Sequence, residues 1–275
     1  MLSTKSFFHF FSDSVKSEIS SKIGRIIVTG CCKGGVGKST VALNTAISLS
    51  RKNVKVGIFD ADLSGPSIPM MAGTMDQRLY LDDSKSFFPT EAFGIKIVST
   101  GNCFPYDKPL IYKSAYISNV IKQLINKCMW KLDYLIVDTP PGTGDVHIKL
   151  HQLLNVDASI LVSSPHTMST NDLKRSIDLY KRYGIPIMGV VKNFDKFTCN
   201  YCGKETQIYN SPGFEKMLKD SGIPMLGSIP IDQTVALGGD QGYPIVIRQP
   251  DSSIAKTFDK IASQIITKYP KKDIF

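Results

Sequence analysis

The stretch "VTGCCKGGVGKST", residues 28–40, decides the fold. It continues an apolar run, "RIIVTG" (25–30), and leads into "KSTVALNTAISLSRK", where Val41, Thr45 and Leu49 recur at helical spacing. Strand, glycine-rich loop and helix come in the order that a phosphate-binding loop requires. The pattern G-x-x-x-x-G-K-[ST] is met except at its first glycine, where Cys32 stands. Gly34, Gly35 and Gly37 let backbone N–H groups converge on phosphate oxygens with no Cβ in the way. The helix beginning near Lys38 aims its positive end at the same anion. Lys38 is expected to bridge the β- and γ-phosphates and the Ser39 hydroxyl to ligate Mg²⁺, so the loop calls for ATP and Mg²⁺. The expected nucleotide-binding set is Lys33, Gly34, Gly35, Val36, Gly37, Lys38, Ser39 and Thr40.

Outward from the loop, strands and helices alternate. "VKVGIFD" closes on Asp60, "IKIVST" comes next, and "ISNVIKQLINKCM" has helical spacing. "DYLIVD" closes on Asp138, "ASILVSS" on serines and "IPIMGVVKN" on Asn193. "IPMLGSIP" is a last short strand and "SSIAKTFDKIASQIITKY" a closing helix. Nearly continuous aliphatic strands separated by helices predict an α/β fold of the P-loop NTPase class. Its twisted sheet is mostly parallel and covered by helices on both faces. No internal repeat or long linker divides the chain, which reads as a leader (1–22) and one domain (23–275). Asp60 and Asp138 fall at strand ends, where such sheets bind ligands. Asp138 is placed to hold Mg²⁺ through water, with Asp60 assisting behind it.

The formal charge is +9 and the pI about 9.1, but the lysines are scattered and the densest group is only "KYPKK". That reads as a basic, solvated surface rather than a nucleic-acid face. No apolar run approaches the roughly 18 residues of a membrane-spanning helix. The six cysteines, at 31, 32, 103, 128, 199 and 202, are unevenly spaced and fit a reducing compartment. Residues 1–22 hold seven serines and three lysines, with Phe8, Phe11, Val15 and Ile19 on one helical face. No arginine occurs there, and Asp13 and Glu18 interrupt the positive face. The expectation is organellar targeting, to a mitochondrion or a related organelle, with the cytoplasm as the alternative. His147 and His151 stand at metal-like spacing with no third ligand nearby in sequence. The stripe Ile254, Phe258, Ile261 and Ile265 is expected to dock the last helix on the sheet.

The loop "KGGVGKST" resembles the deviant Walker A motif of MinD/ParA-like ATPases. The resemblance implies that Lys33 reaches across a dimer to the partner's nucleotide and that Asp62, in "FDADLSGPSIP", orients the attacking water. The glycine position taken by Cys32 is variable in that class. "GPSIP", "DTPPGTGD", "FTCNYCG" and "DQGYPIV" occur in order, and together they resemble the Mrp family of nucleotide-binding iron–sulfur carriers over residues 25 to about 268. Gly144, and the absence of any cysteine before residue 31, are similar to the bacterial Mrp and mitochondrial complex I assembly branch. The resemblance implies a weak ATPase with Lys33, Lys38 and Asp62 as its catalytic residues. It also implies that Asn193 contacts the purine and Pro230 lines the base pocket.

On spacing alone, Cys199 and Cys202 are equally half a zinc site, a thiol–disulfide switch or half of a cluster site. The family implies the last: a homodimer supplies four thiolates to a [4Fe-4S] cluster. The cluster is received from upstream donors and passed to apo iron–sulfur acceptors, complex I-type subunits being one candidate class. The segment 101–113 departs from the family pattern, with "YKSA" (112–115) where "WRGP" is common. A rival reading is a ParA- or MinD-like positioning ATPase binding DNA or membrane, against which the C-x-x-C pair argues.

Overall fold

The computed structural model describes residues 19, 21–103, 114–142, 144–199, 201–209 and 212–273. Most of the 1–22 leader and residues 104–113 of the divergent segment lie outside the described residues. Of the leader's apolar stripe only Ile19 is described, and it is buried among core side chains.

The elements needed for the site are β1 (Ile23–Gly30), α1 (Lys38–Ser50), β2 (Val56–Asp60), α2 (Ile68–Met71), β3 (Tyr80–Leu81), β4 (Phe87–Phe88), β5 (Thr90–Ala92) and β6 (Ile95–Val98). Next come α3 (Ser114–Asn126), β7 (Leu132–Asp138), α4 (Asp145–Leu153), β8 (Ala158–Ser163), α5 (Thr167–Arg182), β9 (Ile187–Thr198) and β10 (Glu205–Thr206). The chain closes with α6 (Pro212–Ser221), β11 (Met225–Ile231), α7 (Gln233–Asp240), α8 (Ile245–Arg248) and α9 (Ser253–Lys268). The main sheet runs β10-β9-β8-β1-β7-β2-β6-β5, with β11 on β9. Only β5 and β10 run antiparallel within it, so the mostly parallel, doubly covered sheet expected from the sequence is the one observed.

The continuous apolar strands are explained by what lies on either face. Along β1, Ile27 faces a core shared with α1 and α9, while Ile26 and Val28 face a second core with α3, α5 and α6. On β7, Tyr134 and Ile136 take the first side, and Leu135 and Val137 the second. Successive strand side chains point to opposite faces, so a two-sided core needs every position apolar. Helix α1 is buried at every residue from Val41 to Leu49, which makes it the central helix of its layer. Helix α9 docks through Ile254, Phe258, Ile261 and Ile265, all buried, as its stripe required.

Strand β9 does not stop at Asn193, as its apolar run implied. It continues to Thr198, and Phe197 is flanked by Ile231 of β11 and Thr206 of β10. Pairing with these neighbours, rather than local hydrophobicity, extends it. At the end of β1, Gly30 has no room for a side chain: a Cβ there would stand 2.0 Å from the Tyr180 hydroxyl, reaching in from α5. Gly30→Ala is therefore expected to destabilise the fold by about 1–3 kcal/mol. Adding Tyr180→Phe should restore part of that loss in a denaturant titration. A loss that the second substitution leaves unchanged would place the strain elsewhere.

Candidate functional site

The loop between β1 and α1 is built by backbone. Gly35 and Gly37 adopt left-handed conformations, φ 76° and 84°. A Cβ at Gly35 would meet nothing within 4 Å, and one at Gly34 only the Pro141 side chain at 3.8 Å. Helix α1 has no side-chain cap at Gly37, so its first N–H groups point into the loop unclaimed by any capping residue. Lys38 is 7% exposed and lies at the same end of the sheet. These are the parts of an anion cradle.

The cradle is held from outside. Asn193, at the same edge of the sheet, donates from Nδ2 to the Val36 carbonyl at 2.9 Å. A Cβ on Gly37 would collide with that Nδ2 at 2.2 Å, so Gly37 is needed for packing as well as for φ. Cys32 N–H donates to the Ser176 hydroxyl at 2.9 Å, and Gly142 N–H to the Cys32 carbonyl at 3.0 Å, which ties the loop to α5 and to the turn after Asp138. Lys33 N–H donates to the buried Cys31 sulfur at 3.3 Å, leaving the half-exposed Lys33 side chain on the rim. Pro230 comes directly after Ile229, the register partner of Asn193.

Asp60 and Asp138 are register partners on β2 and β7, both fully buried. Their environments differ. Asp60 accepts the Asp62 N–H at 3.1 Å on one oxygen, and the Ile68 N–H at 3.3 Å and Ser99 hydroxyl at 3.0 Å on the other. Burial, then the neighbouring Asp138 charge, push its carboxyl well above the usual range against those hydrogen bonds. Asp138 has both oxygens buried and neither accepts a well-formed hydrogen bond. Burial raises its carboxyl too, while nearby Ser39 and Lys38 pull it back part of the way. An unpartnered buried carboxylate is costly. A hard cation held between it and Ser39 would remove that cost, so the residues present fit Mg²⁺. Asp62 spends one oxygen on the Gly65 N–H at 3.2 Å and remains half-exposed beside the pair.

The cysteine pair sits at the tip of the β9–β10 hairpin. Cys199 N–H donates to the Lys204 carbonyl at 3.0 Å, and Gly203, at φ 68°, returns its N–H to the Cys199 carbonyl at 2.9 Å. Backbone N–H groups of Cys202 and Tyr201 point at the Cys199 sulfur and hold its thiol below the ordinary value, favouring thiolate. Burial does the opposite to Cys31 and Cys32, and drives Cys103 and Cys128 up to about 11 and about 12. Cys202 and Tyr201 are exposed, the latter completely. Among the described residues no three His, Cys, Asp or Glu side chains come together as a metal site.

His147 and His151 do not form the metal pair their spacing allows. His147 is buried with Nε2 against the Pro140 carbonyl at 3.1 Å, and burial lowers its pKa. The His151 ring packs on Tyr183 at 4.5 Å. The sequence reading missed Ser99, Ser176 and Tyr180 as supports of the site. Each reaches it from a distant element, and nothing in its own neighbourhood marks it.

Known proteins resemble this chain over most of its length. The ParA-group family of NUBPL iron-transfer P-loop NTPases matches residues 22–266. An iron–sulfur cluster carrier protein of Helicobacter pylori is 39% identical over 249 residues, 90% of this chain and 68% of that protein. The iron–sulfur cluster transfer protein NUBPL of Dictyostelium discoideum is 35% identical over 246 residues, 89% of this chain and 76% of its own. Among solved structures, a nucleotide-binding protein of Archaeoglobus fulgidus in complex with ADP superposes with a TM-score of 0.75. It is 26% identical, and the match covers 90% of this chain and 96% of that one.

The orphaned Asp138 carboxyl sets a pH signature. Its folded-state proton affinity is raised above the unfolded value, so the nucleotide-free fold is favoured at low pH. That contribution is lost as pH rises from the ordinary carboxylate range through the raised value. Asp138→Asn should flatten the slope and stabilise the nucleotide-free protein at pH 8 by about 1–3 kcal/mol. It should also abolish the stabilisation given by Mg²⁺ with nucleotide. Thermal unfolding with and without Mg·ADP reads both effects, and a less stable apo variant would overturn the assignment.

Proposed function

The chain belongs to the NUBPL iron-transfer P-loop NTPase family, and on that premise we propose that it is an ATP-dependent carrier of iron–sulfur clusters. The observation that carries the reading is the Cys199–Cys202 hairpin. It is an outward pair with one thiol biased towards thiolate, mounted on the strand that also touches the phosphate loop. The names of the Helicobacter and Dictyostelium relatives support the same cargo.

Two thiolates leave a [4Fe-4S] cluster half-ligated. A two-fold homodimer that brings two hairpins together supplies four, at an exposed and releasable site. Phe197, Tyr201 and Ile208, all exposed at the hairpin, give that meeting an apolar surface to cover. The cargo comes from upstream donors and goes to apo iron–sulfur proteins, complex I-type subunits being one candidate class. The Ser- and Lys-bearing segment 1–22 supports a mitochondrial or related compartment, with the cytoplasm as the alternative.

In the nucleotide site the backbone from Gly34 to Thr40 wraps the phosphates of ATP, and Lys38 neutralises the β- and γ-oxygens. Ser39 and Asp138 would hold Mg²⁺, which supplies charge stabilisation to the leaving phosphates, while Asp60 fixes the Asp62 turn behind them. Asp62 positions the attacking water. Lys33, on the rim, reaches the nucleotide of the second subunit, so hydrolysis is tied to the dimer. Asn193 and Pro230 border the base. The resulting ATPase is weak, and its turnover is coupled to cargo release.

Anaerobic reconstitution with iron and sulfide should give about four irons per dimer, lost in Cys199→Ser. Tightly held zinc, or a nucleotide-dependent dimer with no metal that binds DNA or lipid, would replace this reading with a positioning ATPase. Asp62→Asn should slow ATP hydrolysis by about 100-fold or more while nucleotide affinity stays close to normal. Hydrolysis unchanged in that variant would remove Asp62 from the chemistry.

A further inference from the structure

Strand β9 carries Asn193 against the phosphate loop and delivers Cys199 just beyond its end, so one continuous segment joins the two sites. The strand is not uniform between them. Asn193 pairs with Ile229 of β11 and Phe197 with Ile231, so four steps along β9 match two along β11, and two extra residues are taken up between. Phe194 opens that bulge in a left-handed conformation, φ 58°, unusual for a bulky residue and kept only where surroundings impose it. Its ring reaches the loop: Cζ lies 3.8 Å from where a Gly37 Cβ would stand.

The bulge is anchored on its other side. Lys192 bonds Asp195 and Glu215 of α6, each at 2.7 Å, and the Ser228 hydroxyl of β11 donates to Asp195. The residues flanking Phe194 are thus fixed to the phosphate loop through Asn193 and to the protein body through Lys192 and Asp195. Beyond it, the hairpin is a short ladder of Phe197–Thr206 and Thr198–Glu205 pairs ending in the cysteines. A bulge bends its strand and re-aims the residues beyond it, which here are the hairpin and its thiols.

We propose that Phe194 is a positioning residue. Its ring senses what occupies the phosphate loop at Gly37, and the bulge it opens turns that state into the attitude of the Cys199–Cys202 hairpin. The geometry stands without the carrier reading, and only its consequence, nucleotide control over cargo release, rests on it. A nucleotide drawing the Val36–Gly37 backbone onto its phosphates shifts the surface against which Asn193 and Phe194 lean. The chain has its freedom to answer at the bulge, where pairing with β11 is interrupted.

Hydrogen–deuterium exchange on the full chain tests this, without nucleotide, with Mg·ADP and with a non-hydrolysable ATP analogue. The reporters are the Cys199 and Gly203 amides, whose hydrogen bonds close the hairpin turn. In the unmodified protein, nucleotide is expected to change their exchange rates several-fold. In Phe194→Ala the ratio should fall to near one while nucleotide affinity stays within a few-fold, and Phe194→Tyr should restore the response. Phe194→Gly, which relaxes the left-handed backbone and removes the ring, serves if Phe194→Ala does not fold. Hairpin amides indifferent to nucleotide in the unmodified protein, or a full response in the variants lacking the ring, would overturn the proposal. A chain that takes up no cluster yet keeps the nucleotide response overturns the carrier reading and leaves the hinge standing. One that carries cluster without the response does the reverse.

Discussion

Two buried carboxylates face each other across neighbouring strands, and the difference between them organises the functional end of the molecule. Asp60 has both oxygens committed, to the backbone of its own turn and to Ser99, and so acts as a fixed post. Asp138, its register partner, has neither oxygen satisfied. Burying an unpaired carboxylate opposes folding, and a hard cation bound there, as proposed above, would remove that cost. Side chains from other elements support the backbone on either side of the phosphate loop. These are the Tyr180 hydroxyl behind Gly30, Ser176 under Cys32 and His147 on the Pro140 carbonyl.

The two sites obey opposite rules. The cradle is backbone-lined and backed by a core in which α1 is buried along nearly its whole length. Dipoles already aimed at phosphate need little reorganisation when the ligand arrives, and the small shift that remains, at Val36–Gly37, is the one Phe194 is proposed to sense. The cysteine hairpin is exposed, two residue pairs long, and secured to the body at its root. A ligand pair that must accept and surrender its cargo cannot be buried, because burial drives thiols towards the protonated form, as at Cys128 in the core and at the half-buried Cys103 packed against it. Cys199 avoids this by exchanging burial for N–H donors, which stabilise thiolate without closing the site.

Much of this was legible in the sequence for a physical reason. A phosphate loop is local: its glycines, lysine and serine act through one stretch of backbone, and the strand before and helix after are announced by their own periodicities. Asp60 and Asp138 were visible because a buried parallel strand is apolar throughout, so an acid closing the run stands out. The C-x-x-C pair was visible because its spacing is local, although spacing alone left zinc, disulfide and cluster open. The family pattern, rather than the spacing, chose among them.

Tertiary structure decided what depends on contacts between distant segments. The sequence by itself determined the sheet's class, the cradle and the identity of the thiols. It did not reveal that Asp60 is a satisfied support while Asp138 is an orphan, because that rests on Ser99 and Ile68 reaching one and not the other. Nor did it show that β9 runs on past Asn193 through a bulge at Phe194, since the pairing partners that extend it, β10 and β11, come later in the chain. Hydrophobic periodicity reports which way a residue faces. Only packing reports what it meets there, and in this protein the link between the phosphate loop and the cysteine hairpin is made of such meetings.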